Sequence, residues 1–210
     1  MKVYLVRHAR SEARDMGIRQ SPNSKLGLTG KKQAQLLVPR VKKEKIDIVF
    51  TSPWERAKST ATILSQKLNL PLETFEEIHE KLQSKKVYGA SNKSRVHKEF
   101  MKEKEKFGVD IDWKFAGEGE SVRDLTKRVN EFQKHLIKKH NVQNILVVTH
   151  DFFIRSFVCT ALLGEKYDEK SFMKIFGSIS CVNTGLTLFD YDKKRKHWEL
   201  VYFNEHLHLG

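Results

Sequence analysis

The stretch Lys2-Val3-Tyr4-Leu5-Val6-Arg7-His8-Ala9-Arg10-Ser11 begins as an unbroken apolar run and ends in basic side chains. A short continuous apolar run bounded by polar residues predicts a strand buried on both faces, the signature of a sheet held between helices. In such sheets ligands bind in the crevice outside the carboxyl ends of the strands. His8 falls there, where a neutral imidazole can attack phosphorus, and Arg7 can hold phosphate oxygens through its planar fork. An ordinary surface loop also offers an Arg-His pair, so the argument turns on what accompanies it.

Three further apolar runs, at residues 46–50, 145–148 and 186–189, predict strands of the same kind. Helical patterns separate them. After Ser121, apolar residues at 122, 125, 129, 132 and 136 share one helix face, and Ser121 with Asp124 predicts a capping box. Ser52-Pro53-Trp54-Glu55 predicts another helix start, with Ser52 as the cap. A helix over about 30–43 contains Pro39, which should kink or interrupt it. Residues 186–191 and 198–203 flank a charged turn and predict a hairpin. The alternation predicts one α/β domain over residues 1–210, a three-layer α/β/α sandwich with a mostly parallel central sheet. The polar, lysine-rich and glycine-punctuated stretch at about 85–119 predicts a small helical cap insertion.

Two more strand ends carry chemistry. Arg56 lies on the first turn of the helix after the second strand, where free N–H groups and the helix dipole favour anions. His150 ends the strand before a further helix and can donate to a phosphate oxygen; the backbone N–H of Asp151 can add a donor. Basic groups at three strand ends would converge on one edge of the sheet. Glu76, Glu77 and Glu80 compete for the role of an acid that protonates a leaving alkoxide, and spacing alone does not choose among them.

Taken in order, these segments resemble the histidine phosphatase (phosphoglycerate-mutase-like) superfamily. Arg7-His8-Ala9-Arg10-Ser11 resembles its Arg-His-Gly-Glu-Thr signature, and residues 26–34 resemble the segment ending Gly-x-x-Gln-Ala. Thr51 to Ala61 is similar to its Ser-Ser-Pro-x-x-Arg-Ala-x-x-Thr-Ala helix start. Gly119-Glu120-Ser121 with Arg128-Val129, and Val147-Val148-Thr149-His150, match its later segments, with a weaker echo at Asn183-Thr184 and residues 204–207. The resemblance implies a metal-independent phosphomonoester hydrolase without cofactor, in which His8 becomes phosphohistidine. It implies a phosphate pocket of Arg7, Arg56 and His150, with Glu80 as proton donor. Arg10, Ser11 and Asp151 join the substrate-binding set. A phosphomutase, returning the phosphoryl group to a bound acceptor, is the alternative; a non-catalytic anion or nucleic-acid binder is the third reading. The chain departs from the family pattern at Ala9, where a backbone needing positive φ would be strained. It departs also at Arg10, which replaces an acid or amide, and at Arg14, which stands where many relatives have Asn.

Composition sets the outer bounds. The chain has 210 residues, 39% hydrophobic and 31% charged, the balance of a folded protein. No apolar run can span a bilayer and the first one is too short for a signal peptide, so the expected location is cytoplasmic, without membrane association. A net charge of +13 favours anionic partners. The expected partner is a small phosphorylated molecule. Nucleic acid is disfavoured because no basic and aromatic stripe is interleaved, and a homodimer is left open. Lys85, Lys86, Lys93 and Arg95 of the cap either meet substrate or face water. Cys159 and Cys181 read as two buried thiols. Gly27-Leu28-Thr29-Gly30-Lys31 is too short for a phosphate-binding loop, and His206 and His208 lack the companions of a metal site.

Overall fold

A computed structural model describes residues 1–210 apart from 141 and 165. The chain runs β1 (Lys2–Arg7), α1 (Glu12–Asp15), α2 (Leu28–Lys42), β2 (Ile48–Thr51), α3 (Glu55–Leu68) and β3 (Leu72–Thr74). It continues with α4 (Arg95–Phe107), α5 (Val122–Lys139), β4 (Ile145–Thr149), α6 (Asp151–Leu163), α7 (Glu169–Ser178), β5 (Leu186–Asp192) and β6 (His197–Glu205). The strands form one sheet in the order β3-β2-β4-β1-β5-β6. The first four are parallel, β5 runs antiparallel to β1, and β6 completes the expected hairpin.

Alternation along β1 shows why its apolar run is unbroken. Val3 and Leu5 join Ile48, Phe50, Ile145 and Val147 on one face, packed against Leu125, Val129 and Phe132 of α5 and Phe153 and Phe157 of α6. Tyr4 and Val6 join Val49, Leu146 and Val148 on the other, against Leu37 and Val41 of α2 and Ala57, Ala61 and Leu64 of α3. Strands covered on both faces have no polar alternation to show. The sheet is thus mixed α/β, with helices on both faces, as the sequence predicts.

Several local readings need correcting. The helix around Pro39 is continuous over Leu28–Lys42 with the proline inside it. Ser52 does not cap α3. The cap residue is Trp54, whose indole has no acceptor to offer the helix, and the Ser52 hydroxyl instead accepts the Trp54 N–H and pairs with His150 at 2.8 Å. Ala9 is not strained: it is absent from the positive-φ residues, and its buried N–H donates to Thr60 Oγ1 (3.0 Å). The capping box at α5 forms as read. Both cysteines are buried free thiols. No helix among the described residues is long and apolar enough to cross a membrane.

The loop after β1 is held by close backbone packing. A Cβ added to Gly30 would lie 2.0 Å from the Arg10 carbonyl oxygen, so only glycine lets α2 approach this loop. One turn further on, Gln33 accepts the Arg10 N–H (3.0 Å). The segment at 85–119 contains α4 and 3₁₀ turns at Lys85–Val87 and Phe115–Gly117, and carries a small apolar cluster of Val87, Phe100 and Phe115.

Candidate active site

The parallel register sets the site. Arg7 at the end of β1 pairs with Thr149 at the end of β4, and Thr51 of β2 pairs with Val148. The residues following these ends therefore emerge side by side. His8 and His150 are both buried, with ring centroids 5.0 Å apart. Arg56, also buried, lies against both. Its Nε donates to His8 Nε2 (2.9 Å), its second terminal nitrogen meets His150 Nδ1 (3.2 Å), and the first donates to the Ser21 carbonyl (2.8 Å).

These contacts fix both imidazole tautomers. His8 Nδ1 lies 2.7 Å from the Ala9 carbonyl, which can only accept, so Nδ1 carries the proton and Nε2 holds the lone pair. Asn183 holds the same turn by donating to the His8 carbonyl (2.8 Å). For His150, a guanidinium at Nδ1 leaves the proton on Nε2, which donates to Ser52 Oγ. Burial, then the Arg56 charge, push the basicity of each imidazole well below the ordinary histidine value. Both rings are therefore neutral at neutral pH. Arg56 itself is lowered to about 10 by burial, and remains a cation.

A cavity of about 590 Å³ reaches this cluster at Arg56 and is lined also by Arg7, Arg10, Arg14, Glu80 and Asp151; His8 and His150 are fully buried and do not line it. The Arg7 guanidinium donates to the Cys181 carbonyl and stands 4.0 Å from Asp151 Oδ1, while its Nε is buried without an acceptor. Glu80 is placed by the Lys81 N–H (2.9 Å) and the Phe152 N–H at the start of α6 (3.4 Å). Burial, then the nearby Asp151 carboxylate, raise its pKa, so it holds a proton more readily than an ordinary carboxylate. Glu76 and Glu77, the other candidates, are exposed and do not line the cavity.

Other expectations fare differently. Asp151 reaches the cavity as a carboxylate held by the Cys181 N–H (2.9 Å) and by Arg155. Arg10 lines the cavity while paired to Asp15. Ser11 does not line it: the side chain is buried, caps α1 by accepting the Arg14 N–H, and is bonded to Gln20. Of Lys85, Lys86, Lys93 and Arg95, none lines the cavity; Lys86 pairs with Glu118 (3.7 Å) and Arg95 with Glu99 (2.8 Å). The cations that do line it from outside the strand ends are Arg14, Arg19, Lys81 and Lys104.

Trp54, at a variable position of the Ser-Pro-x-x-Arg segment, was not singled out by sequence reasoning. It sits edge-on to His150 at 5.1 Å, with the Arg56 guanidinium 4.7 Å from its ring. A large aromatic side chain one residue before a helix start is the signal that could have flagged it.

With this geometry in view, comparison with known proteins is specific. The family model described as the histidine phosphatase superfamily (branch 1) matches residues 3–206. Phosphoserine phosphatase 1 of Hydrogenobacter thermophilus is 30% identical, over 100% of this chain and 95% of its own length. The adenosylcobalamin/alpha-ribazole phosphatase of Escherichia coli is 29% identical, over 78% of this chain and 80% of its own length. Among solved structures, mycobacterial glucosyl-3-phosphoglycerate phosphatase superposes with a TM-score of 0.83 at 18% identity, over 97% of this chain and 98% of that one.

Proposed function

This chain belongs to the histidine phosphatase superfamily, and from that premise we propose that it hydrolyses small phosphomonoesters through a phosphohistidine on His8, without a metal ion. The observation that carries the proposal is the Arg56 guanidinium bridging His8 Nε2 and His150 Nδ1. One phosphate-sized anion placed there would meet the nucleophile and the cations together. Arg7, with its unmet buried Nε–H, adds to the same positive field.

In this reading the entering phosphate takes over the Arg56 N–H groups and releases the His8 lone pair. Nε2 attacks phosphorus in line, the ester P–O bond breaks, and the leaving alkoxide takes the Glu80 proton. The Nδ1–H bond to the Ala9 carbonyl holds the ring as it gains positive charge. Glu80, now a carboxylate, deprotonates a water that attacks the phosphohistidine. Phosphate departs and His8 is restored. Arg7 and Arg56 stabilise the equatorial oxygens in both steps, and guanidinium charge does the work a metal ion does elsewhere. Transfer to water rather than to a second bound substrate is favoured by the phosphatase names of these relatives. We treat residues 85–119 as a cap on the domain, and a cytoplasmic location as part of the same proposal.

The direct test is phosphate release from a panel of sugar phosphates, phosphoglycerates, nucleotides and phosphoamino acids in the presence of a chelator. Turnover of at least one substrate, undiminished by chelation, is expected; activity lost on chelation and restored by metal would overturn the mechanism.

Glu80→Gln tests the proton donor. The variant should lose about 100-fold in kcat/KM on alkyl phosphates, and far less on p-nitrophenyl phosphate, whose leaving group needs no proton. Because the Glu80 pKa is raised, the acid form persists above the ordinary carboxylate range. Wild-type activity on alkyl phosphates should therefore fall as pH rises through that pKa. The alkaline limb should vanish in Glu80→Gln. An equal loss on both substrate types would remove Glu80 from this role.

A further inference from the structure

The cavity holds more positive charge than one phosphate requires. Beyond Arg7 and Arg56 it is lined by Arg14, Arg19, Lys81 and Lys104, and among the described residues none of these four has a carboxylate within ion-pair distance. Elsewhere on the molecule arginines facing the solvent are neutralised by neighbours, as Arg40 is by Glu44 and Glu205, and Arg123 by Asp112 and Glu169. The unpaired set lines the cavity from four places in the chain: Arg14 from α1, Arg19 from the loop after it, Lys81 from the turn after Glu80, and Lys104 from α4.

Two of the four are built in rather than dangling. Lys81 is only 5% exposed, and Arg19 rests its guanidinium on the Phe100 ring, 4.1 Å from the centroid. Burying an ammonium without a counter-ion is costly, and its pKa is accordingly drawn down to about 8, chiefly by burial. The cations also oppose one another. Arg14 is depressed by burial and then by the charges of Arg7 and Arg10; Lys104 by burial and then by Arg155 and Arg19. An arrangement that costs stability in the empty protein is relieved by an anion entering the cavity.

We propose that the physiological substrate carries a second strongly anionic group, a phosphate or a carboxylate cluster, which Arg19, Lys81 and Lys104 hold while the scissile phosphate lies on Arg7, His8 and Arg56. This rests on the phosphatase reading and narrows it. A zwitterionic phosphoamino acid fits less well. The acidic groups lining the cavity are Glu80 and Asp151, and both are already engaged, Glu80 by backbone N–H groups and Asp151 by the Cys181 N–H and Arg155. An ammonium group would meet the four cations, and the remaining polar lining, the amides of Gln20, Gln83 and Asn92, is neutral.

The test uses a matched pair, 1,3-propanediol bisphosphate and 3-hydroxypropyl phosphate, which differ by one phosphate. The wild-type protein should prefer the bisphosphate by at least about tenfold in kcat/KM, with the preference shrinking as salt rises. In Arg19→Gln/Lys104→Gln the ratio should fall towards one. Calorimetric binding of both compounds to His8→Ala separates this proposal from the catalytic one. A tenfold affinity preference there supports the second anion site even if neither compound is turned over. Equal affinity in His8→Ala, or a wild-type ratio unchanged in the double variant, overturns it. A double variant that fails to fold is replaced by Lys104→Gln alone, whose parent side chain is exposed, with the same ratio as readout.

Discussion

His8→Ala should abolish hydrolysis, lowering kcat by on the order of 10⁴-fold or more. The substitution removes the Nε2 lone pair that this reading makes the nucleophile, which rests on Arg56 until phosphate takes over that guanidinium, while Nδ1 is committed to the Ala9 carbonyl. No neighbouring cysteine can substitute: Cys181 is buried and its thiol is pushed up beyond the ordinary range, chiefly by burial. The fold should survive. The imidazole contributes no strand pairing, and its loss leaves one guanidinium N–H without an acceptor in a cavity that an anion or water can enter. Brief reaction with labelled substrate and rapid quenching in alkali should give an acid-labile, alkali-stable phosphoryl label on the wild-type protein and none on the variant. Turnover within tenfold of wild type would place the nucleophile elsewhere.

Arg56→Met should cost about 10³-fold in kcat/KM, the scale of losing a preorganised donor to the transferring group. Methionine fills much of the space and keeps a helix-compatible side chain, so the loss is one of charge and N–H groups. Arg56 is the second cause, after burial, of the low basicity of both imidazoles. Its removal should therefore raise the pKa of His8 and His150 in an NMR titration, and protonation of His8 at mildly acid pH would silence whatever nucleophile remained. Stability should change little or rise, since a buried cation is replaced by an apolar chain. A variant that is folded and retains more than a tenth of wild-type kcat/KM would show that Arg56 serves packing instead.

The legible parts of this protein and the illegible ones have different physics. β1, β2 and β4 announce themselves because burial on both faces leaves no charged residue between their ends. The edge strand β3, Leu72-Glu73-Thr74, escaped notice: two of its residues are exposed and it is too short to show a period. Arg7, His8, Arg56 and His150 were readable because each follows a readable strand. Glu80 was separable from Glu76 and Glu77 only by the resemblance, and in the structure by the turn that aims it at α6. The misreadings of Ser11 and Ser52 share one cause. A serine beside a helix start has several possible partners, and only the folded chain shows which takes the hydroxyl. Of the cavity's unpaired cations the sequence singles out Arg14 but not Arg19, Lys81 or Lys104, for a related reason. Among many lysines, what distinguishes Lys81 and Lys104 from Lys85, Lys86 and Lys93 is orientation, and no spacing rule reports it.

The seat of β4 between β1 and β2 has a consequence for how the chain is made. The two strands paired with β1 are β4 and β5, beyond residue 144, so β1 has no strand to pair with until most of residues 8–192 have followed it from the ribosome. At ordinary elongation rates that wait is on the order of ten seconds. During it a strongly apolar segment and its exposed edge depend on the rest of the nascent chain, or on a chaperone, for shelter. His8 and His150, 48 and 94 residues from the Arg56 that bridges them, lie together only once β4 has slotted in. A chain made only as far as α5 therefore lacks His150 and the strand that seats it.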